Sequence, residues 1–438
     1  MRRIAIIGAG YVGLVTGACF ADFGNEVTCV DSDEDRIAAL KRLEMPFYEP
    51  GLLDVVARNC SEKRLIFKTS LKEAVDENDI LFITVGTPAN RSGEADLSGV
   101  KGVAREIAAH MKSYKLIVQK STVPVGTGAL VRQIVNRNRK RKVAFDVASN
   151  PEFLREGSAV ENFMRPDRVV IGTWTAKAES ILSEVYAPLY LIETPMVKTS
   201  VETAELIKYA SNAFLATKVS FINEMARLCE ALGADVQVVA KGMGLDRRIG
   251  PKFLHAGPGI GGSCLPKDTT ALVRFAADAG CELKIPKAVL RINRAQREFV
   301  CEKIVEAVGG LRGKQIGVLG LSFKPETDDV RESPGVLISK MLLGRGARIK
   351  AFDPAAMETA RAVLPSAEYC SSAYQVCEGS DALVIFTEWN EFRRLDLARI
   401  KKLLTKPVMI DCRNIYVPAE LKTMGFKYHC IGRGSRHS

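Results

Sequence analysis

Short apolar runs alternate with helix-period stretches over the first 195 residues, at positions 3–7, 27–30, 80–85, 116–118, 144–148 and 169–171. Runs of that length between helical segments predict a parallel sheet covered by helices. From Thr199 the pattern changes to one helical segment, residues 201 to about 232, broken only at Gly233. Thr199 and Glu202 have the spacing of a capping box at its start. At about 1.5 Å per residue this helix exceeds roughly 40 Å. That is longer than a compact domain needs, so it is expected to connect two domains and to pack against a second subunit. A glycine-rich loop at 257–262, further helices to about Val308 and a linker-like Gly309-Gly310-Leu311-Arg312-Gly313 follow. The alternation then resumes at 315–319, 347–352, 382–386 and 408–410, with a helix opened by Ser333-Pro334, which predicts a second α/β unit.

The 438 residues are 47% hydrophobic and 26% charged, which excludes a small stapled scaffold and a dominantly disordered chain. No run approaches the roughly 18 apolar residues of a membrane span, and the N-terminal apolar run ends in glycines rather than a cleavage site. A cytoplasmic protein with no membrane partner is expected. Lys plus Arg (62) exceed Asp plus Glu (51) by 11, a balance that suits an anionic partner. Part of the excess, Arg137-Asn138-Arg139-Lys140-Arg141-Lys142, reads as a solvated helix end and loop. A nucleic-acid partner would rest on charge alone, since no reading motif or aromatic platform accompanies it, and none is expected. The eleven cysteines show neither C-x-x-C pairs nor metal-ligand spacing, so no metal is expected. Ten of them read as small core hydrophobes.

The first apolar run leads into Gly8-Ala9-Gly10-Tyr11-Val12-Gly13 and then a helix, and an acid, Asp31, stands at the tip of the next strand. This is the dinucleotide fingerprint in its proper context. Gly8 permits the tight turn, Gly10 lets backbone approach a pyrophosphate, and Gly13 allows helix to pack closely on sheet. Asp31 would take the ribose hydroxyls and repel a 2′-phosphate, favouring NAD over NADP. Arg36 could receive that phosphate or stack on adenine.

Three polar clusters follow other apolar runs: Gly86-Thr87-Pro88, Lys120-Ser121-Thr122-Val123-Pro124 and Asn150-Pro151-Glu152-Phe153-Leu154-Arg155-Glu156-Gly157. Parallel strand ends open on one crevice, so Thr87 and Thr122 are candidate cofactor or substrate contacts, or else ordinary caps. Glu152 is a candidate acid or base.

Gly257-Pro258-Gly259-Ile260-Gly261-Gly262-Ser263-Cys264-Leu265-Pro266-Lys267-Asp268 puts many glycines, which let a backbone wrap closely round a ligand, ahead of a cysteine at a helix start. Both the helix N-terminus and Lys267 favour the thiolate, making Cys264 the candidate nucleophile rather than a buried structural thiol. Asp268 lies one turn on, as proton acceptor or plain helix-start acid. Lys208 and Asn212, also four apart, stand among apolar neighbours of the long helix and are candidates to hold an oxyanion. A thiolate beside a nicotinamide suggests oxidation beyond an aldehyde. It adds to the aldehyde as a thiohemiacetal, and oxidation then gives a thioester for water to hydrolyse. In the second α/β unit, Lys324, Arg331 and Arg413 suit a diphosphate or hydroxyl-rich ligand, or are surface charges.

Together these motifs, with Lys208-Tyr209-Ala210-Ser211-Asn212, residues 248–268, Phe323-Lys324, Arg331-Glu332-Ser333 and Asp411-Cys412-Arg413-Asn414, carry a resemblance to a known family. The chain resembles the UDP-glucose/GDP-mannose dehydrogenase family from Arg3 to about Ile431. The resemblance implies two Rossmann-like doubly wound α/β domains joined by a central helical domain with one long helix. Residues 1–195 would bind NAD, 196–310 would dimerise and carry the cysteine loop, and 311–438 would bind the UDP sugar. It implies an NAD-dependent four-electron oxidation of UDP-glucose to UDP-glucuronate by a homodimer or higher homo-oligomer. Cys264 would be the nucleophile and Glu152 would serve thioester hydrolysis, with Lys208, Asn212, Asp268 and Thr122 in the proton and oxyanion roles. Gly8, Gly10, Tyr11, Val12, Gly13, Asp31, Arg36, Thr87, Thr122, Glu156, Lys267 and Arg331 would contact NAD. Glu152, Phe153, Leu154, Lys208, Asn212, Phe253, Leu254, Gly257, Gly261, Lys324 and Arg413 would contact the substrate, and Arg248 would reach a neighbouring subunit's site. Ile260 and Leu265 stand where an aromatic is usual. Ser263 argues against N-acetylhexosamine nucleotides, and residues 248–254 favour UDP-glucose over GDP-mannose; the same chemistry on one of those sugar nucleotides is the alternative. A two-electron hydroxyacid dehydrogenase of similar layout would need neither Cys264 nor a second α/β unit.

Overall fold

The computed structural model describes residues 1–88, 90 and 93–434. The chain divides into two compact units, Met1–Ser211 and Asn212–Ser438. In the first unit the strands are β1 (Arg3–Ile7), β2 (Glu26–Val30), β3 (Leu65–Lys68), β4 (Ile80–Ile83), β5 (Lys115–Gln119), β6 (Phe145–Ser149), β7 (Val169–Thr173) and β8 (Met196–Thr199). They lie in the order β3-β2-β1-β4-β5-β6-β7-β8. Alternate residues of the central strands feed two cores, Ile4, Ile6, Phe82 and Val118 on one face and Ala5, Ile7, Leu81 and Ile117 on the other. Burial on both faces is why these strands are continuously apolar.

The sheet departs from the expected all-parallel arrangement at one edge. β6 and β7 pair antiparallel, and β8 runs parallel to β7. The connection 150–168 therefore begins and ends at the same end of the sheet and needs no crossover. β3 and β8 had no clear sequence signal: Ile66 of β3 and Val197 and Lys198 of β8 face solvent at the sheet's two edges.

The second unit holds β9 (Gln315–Leu319), β10 (Arg348–Phe352), β11 (Glu368–Tyr369), β12 (Ala382–Ile385), β13 (Val408–Asp411) and β14 (Lys427–Cys430). All pair parallel, in the order β11-β10-β9-β12-β13-β14. This repeats the order of the first six strands of the other sheet. β11 has two residues and β14 reads Lys-Tyr-His-Cys, too short and too polar for the pattern to reveal.

The helix Val201–Leu232 has 32 residues, about 48 Å at the helical rise. Its cap is Ser200, not Thr199: Thr199 is the last residue of β8, and the Ser200 hydroxyl accepts the Thr203 amide hydrogen bond. Gly233 ends it with a φ of 72°, the left-handed conformation that glycine adopts freely. The cysteine expectation also needs correction. Cys281 is exposed and Cys60 half-buried, so eight cysteines rather than ten are core residues. No helix among the described residues is long and apolar enough to cross a membrane.

Candidate active site

The tip of β1 has the geometry of a dinucleotide cradle. Gly8 has a φ of 106°, and a Cβ at Gly13 would lie 1.8 Å from the Gly8 carbonyl oxygen, so helix and loop meet backbone to backbone. A Cβ at Gly10 would meet nothing within 4 Å, leaving open space beside the turn. The helix Tyr11–Asp22, with Val12 in its first turn, has neither a side-chain cap nor an acid there. Its leading N–H groups are the natural seat of a pyrophosphate. The Asp31 carboxylate accepts from the Ala9 amide at 2.7 Å and pairs with Arg36 at 3.0 Å, and Arg36 also pairs with Asp33 at 3.2 Å. A 2′-phosphate would have to compete with both carboxylates for Arg36. These residues fit NAD.

The neighbouring tips are tied to one another. The Thr87 hydroxyl donates to the Thr122 carbonyl at 2.8 Å, and Ser121 donates to the Val85 carbonyl at 2.7 Å. On the β6 tip, Glu152 is buried, with one oxygen 2.9 Å from the Lys208 ammonium and the other accepting the Leu154 amide at 2.6 Å. Burial pushes this carboxyl up, but Lys208, the Leu154 amide and Lys120 outweigh it and hold it below the usual range. Glu152 is thus a carboxylate at neutral pH. Phe153 lies under the Arg168 guanidinium, 3.5 Å from its ring centre, with the Lys208 ammonium 5.3 Å away. Leu154 and Glu156 follow in the same half-buried loop.

Lys120, quoted in the sequence but given no role there, is fully enclosed. Its ammonium donates to the Asn150 side-chain oxygen Oδ1 at 3.0 Å and to the Tyr186 hydroxyl at 3.2 Å, and burial pushes its pKa down to about 8. Glu49 and Glu205 had no sequence signal at all. Their buried carboxylates hold backbone amides of the 150–159 and 126–128 segments.

In the second unit Cys264 is the N-cap of the helix Leu265–Asp278, exposed, with its sulfur 3.5 Å from the Ser263 hydroxyl. Asp268, one turn on, is buried. It accepts from the Asn212 side-chain amide at 2.6 Å and pairs with Lys267 at 2.8 Å. Asn212 and Lys208, one helical turn apart, therefore serve different carboxylates.

Part of the freedom that the sequence suggested for a ligand is used by the protein itself. Cβ atoms at Gly261 and Gly262 would come within 3 Å of Pro334, Glu332 and the Phe323 ring, and one at Gly257 within 3.1 Å of the Arg413 guanidinium. Three amide side chains outside the loop hold it: Asn223 and Gln296 at Gly257, and Asn293 at both polar groups of Ile260. Sequence reasoning missed all three, because an amide on a helix looks like ordinary surface. Phe253 has a φ of 65°, uncommon for an aromatic residue, and Leu254 beside it is buried.

The cations of this unit that the sequence singled out are engaged. Arg413 donates to the Phe386 and Phe323 carbonyls and pairs with Glu388 at 3.0 Å; Arg331 grips Asp329 with two bonds; Lys324 lies over the Phe323 ring. Arg248 is exposed and paired with Asp246. Among the described residues no cluster of His, Cys, Asp or Glu could hold a metal ion.

Known sequences account for this layout. Three models of one family, described as its NAD binding, central and UDP binding domains, match residues 2–190, 202–295 and 317–418. The chain belongs to the UDP-glucose/GDP-mannose dehydrogenase family. It is 50% identical over 434 residues to UDP-glucose 6-dehydrogenase TuaD of Bacillus subtilis, covering 99% of this chain and 94% of that protein. It is 51% identical over 435 residues to UDP-glucose 6-dehydrogenase of Rhizobium meliloti, covering 98% and 99%. Among solved structures, a UDP-glucose dehydrogenase from Pyrobaculum islandicum matches with a TM-score of 0.91 at 42% identity, covering 98% of this chain and 97% of that one. The glycine tip of β1 lies within the residues that match the NAD binding domain.

Proposed function

We propose that the chain oxidises UDP-glucose to UDP-glucuronate with two NAD, through thiohemiacetal and thioester intermediates on Cys264. The observation that carries this reading is the exposed Cys264 thiol at a helix start, one turn from a buried carboxylate. Identity of about half over the whole length to named UDP-glucose 6-dehydrogenases supports the substrate.

NAD, held at Gly8 to Gly13 and Asp31, supplies the hydride acceptor for each of two oxidations. Asp268, oriented by the Asn212 amide, accepts the proton of the sugar's C6 hydroxyl as the alcohol becomes an aldehyde. The Cys264 thiolate adds to the aldehyde carbon, forming the C–S bond, and the oxygen is protonated. Loss of the second hydride and of that proton leaves the thioester. Water then attacks the carbonyl, the C–S bond breaks, and thiolate and carboxylate separate. Glu152, kept ionised by Lys208 and Lys120, orients this water and takes its proton, while the Lys208 ammonium compensates charge on the oxygen. Thr122 completes the set at the β5 tip.

We assign residues 1–195, 196–310 and 311–438 to cofactor binding, the helical middle with its cysteine loop, and UDP binding. Phe214, Phe221 and Leu228, exposed at seven-residue intervals on the long helix, fit a second copy of the chain and support a homo-oligomer. A cytoplasmic location is part of the same reading. NADH release is to be measured with UDP-glucose, GDP-mannose and UDP-N-acetylglucosamine side by side. Two NADH per UDP-glucose is expected; a one-to-one ratio overturns the thioester scheme, and preference for another sugar nucleotide overturns the substrate.

A further inference from the structure

Among the helices of the first unit that start without a side-chain cap, two have their leading amides held by a distant carboxylate instead. The helix Thr127–Asn138 begins after Gly126, whose φ of 94° suits glycine and which has no side chain to offer. The helix Ala159–Met164 begins after Ser158, whose hydroxyl makes no cap bond. In both places a buried carboxylate arrives from far along the chain. Glu205 takes the Gly126 amide on one oxygen and the Gly128 amide on the other, each at 2.7 Å. Glu49 takes the Gly157 amide at 2.6 Å and the Ala159 amide at 2.7 Å, and also accepts the Tyr11 hydroxyl. The Glu205 clamp is closely packed: a Cβ at Gly128 would lie 2.5 Å from Val201.

What the clamps hold is the reason for interest. The segment ending at Gly126 carries Thr122, and the segment ending at Gly157 carries Glu152, Phe153, Leu154 and Glu156. Glu205 stands three residues before Lys208 on the same helix. One turn of helix thus grips the Thr122 segment and delivers the ammonium that pairs with Glu152. Tyr11, the first residue of the dinucleotide helix, is joined through Glu49 to the Glu152 segment. We infer that Glu205 and Glu49 are positioning residues of the reaction, a pair of remote two-pronged clamps that set the backbone of the loops bearing Thr122 and Glu152. The inference rests on the reading of those loops given above.

Burial pushes the Glu205 carboxyl up to about 7, with the two amides opposing and Glu202 adding to the rise. The charged groups nearby are Glu202 and Lys208 on its own helix and Arg132, stacked on Trp174, from the clamped helix. Protonation turns one acceptor oxygen into a donor facing an amide, so the clamp weakens below neutral pH.

The test compares wild type with Glu205→Gln, Glu205→Asp and Glu49→Gln, using NADH release from pH 6 to 9, with rates normalised to folded enzyme. Wild type is expected to show an acid limb near pH 7; Glu205→Gln is expected to lose it and to lower kcat/KM for NAD about tenfold, one charge-assisted hydrogen bond's worth. Glu205→Asp keeps its charge and is expected to retain that limb with a smaller loss. Glu49→Gln is expected to lower kcat by a similar factor. If the folded fraction of all three variants turns over as wild type with the same pH profile, the clamps serve stability alone and the inference falls. Amide hydrogen exchange separates this outcome from failure of the reaction scheme. Faster exchange at Gly126 and Gly128 in Glu205→Gln reports the clamp even if wild type makes no NADH, and unchanged exchange there overturns it.

Discussion

The two sheets share a strand order and diverge at one tip. In each, the first strand ends in a glycine with positive φ, Gly8 at 106° and Gly320 at 91°, whose amide bonds the end of the neighbouring strand. In each, a later glycine packs against that first glycine's carbonyl: a Cβ would lie 1.8 Å away at Gly13 and 2.8 Å away at Gly335. In each, an aspartate follows the second strand. The difference lies in what that aspartate does. Asp31 takes the Ala9 and Asp33 amides and an arginine, leaving the helix start beyond Gly10 unclaimed. Asp353 is buried and takes the Leu321 and Ser322 amides, the Ser322 hydroxyl and the amides of Ala355 and Ala356. Residues 321–334 fill the space where the first unit goes directly into its helix. One cradle is left for a ligand's phosphates, and its counterpart is closed by the protein's own carboxylate. A shared topology therefore supplies the place for a ligand, and the donors left unsatisfied there decide whether one binds.

The sharpest test of this division of labour is Cys264→Ala. Turnover is expected to fall by about 10³-fold or more while NAD still binds, as calorimetry can read; near-normal turnover removes the nucleophile from the second unit. Next comes Asp353→Asn, which leaves several buried donors facing an amide. It is expected to cost about 2–3 kcal/mol in urea unfolding with little change in KM for UDP-glucose or NAD. If instead stability holds and KM for UDP-glucose rises, the closed tip is a binding tip and the comparison fails.

A third test uses the fifth strand of each sheet. Lys120 follows β5 and Asp411 ends β13; burial lowers the pKa of the first, to about 8, and raises that of the second. The folded state therefore binds fewer protons at Lys120 than the unfolded chain between about pH 8 and 10.5. Lys120's contribution to stability should rise across that window, by at most about 1.4 kcal/mol per pH unit. The stability difference between wild type and Lys120→Met, followed from pH 7 to 10.5, is expected to shift in favour of wild type; a flat difference would mean that the lysine is not desolvated. The smallest effect belongs to Asp31→Asn. It is expected to raise KM for NAD about tenfold, roughly 1.4 kcal/mol, and to narrow the preference over NADP, with unfolding close to wild type. A stability loss as large as that of Asp353→Asn would make the two acids equivalent.

The glycine tip, the strands of both sheet centres and the cysteine before Pro266 were legible because each depends on neighbours a few residues away. Gly335 was not, since residues 321–334 separate it from Gly320 and no fixed spacing remains. Lys208 was legible as an odd cation in an apolar helix, but its partner was not: it was expected at an oxyanion and pairs with Glu152. Asn212 shares its helical face yet reaches Asp268. The antiparallel turn into β7 escaped too, because an apolar run carries no sign of its direction.

By itself, then, the chain determined whatever local backbone geometry dictates: a strand running into glycines that only a close-packed helix start requires, and a thiol at the head of a helix. The tertiary structure alone decided which donors and charges were left over. Glu152 with Lys208, Asp268 with Asn212, Asp353 with the Leu321 and Ser322 amides, and Glu49 and Glu205 on distant amides are pairings between segments far apart in the chain. Periodicity records how each segment buries its face, and it does not record which distant segment it meets.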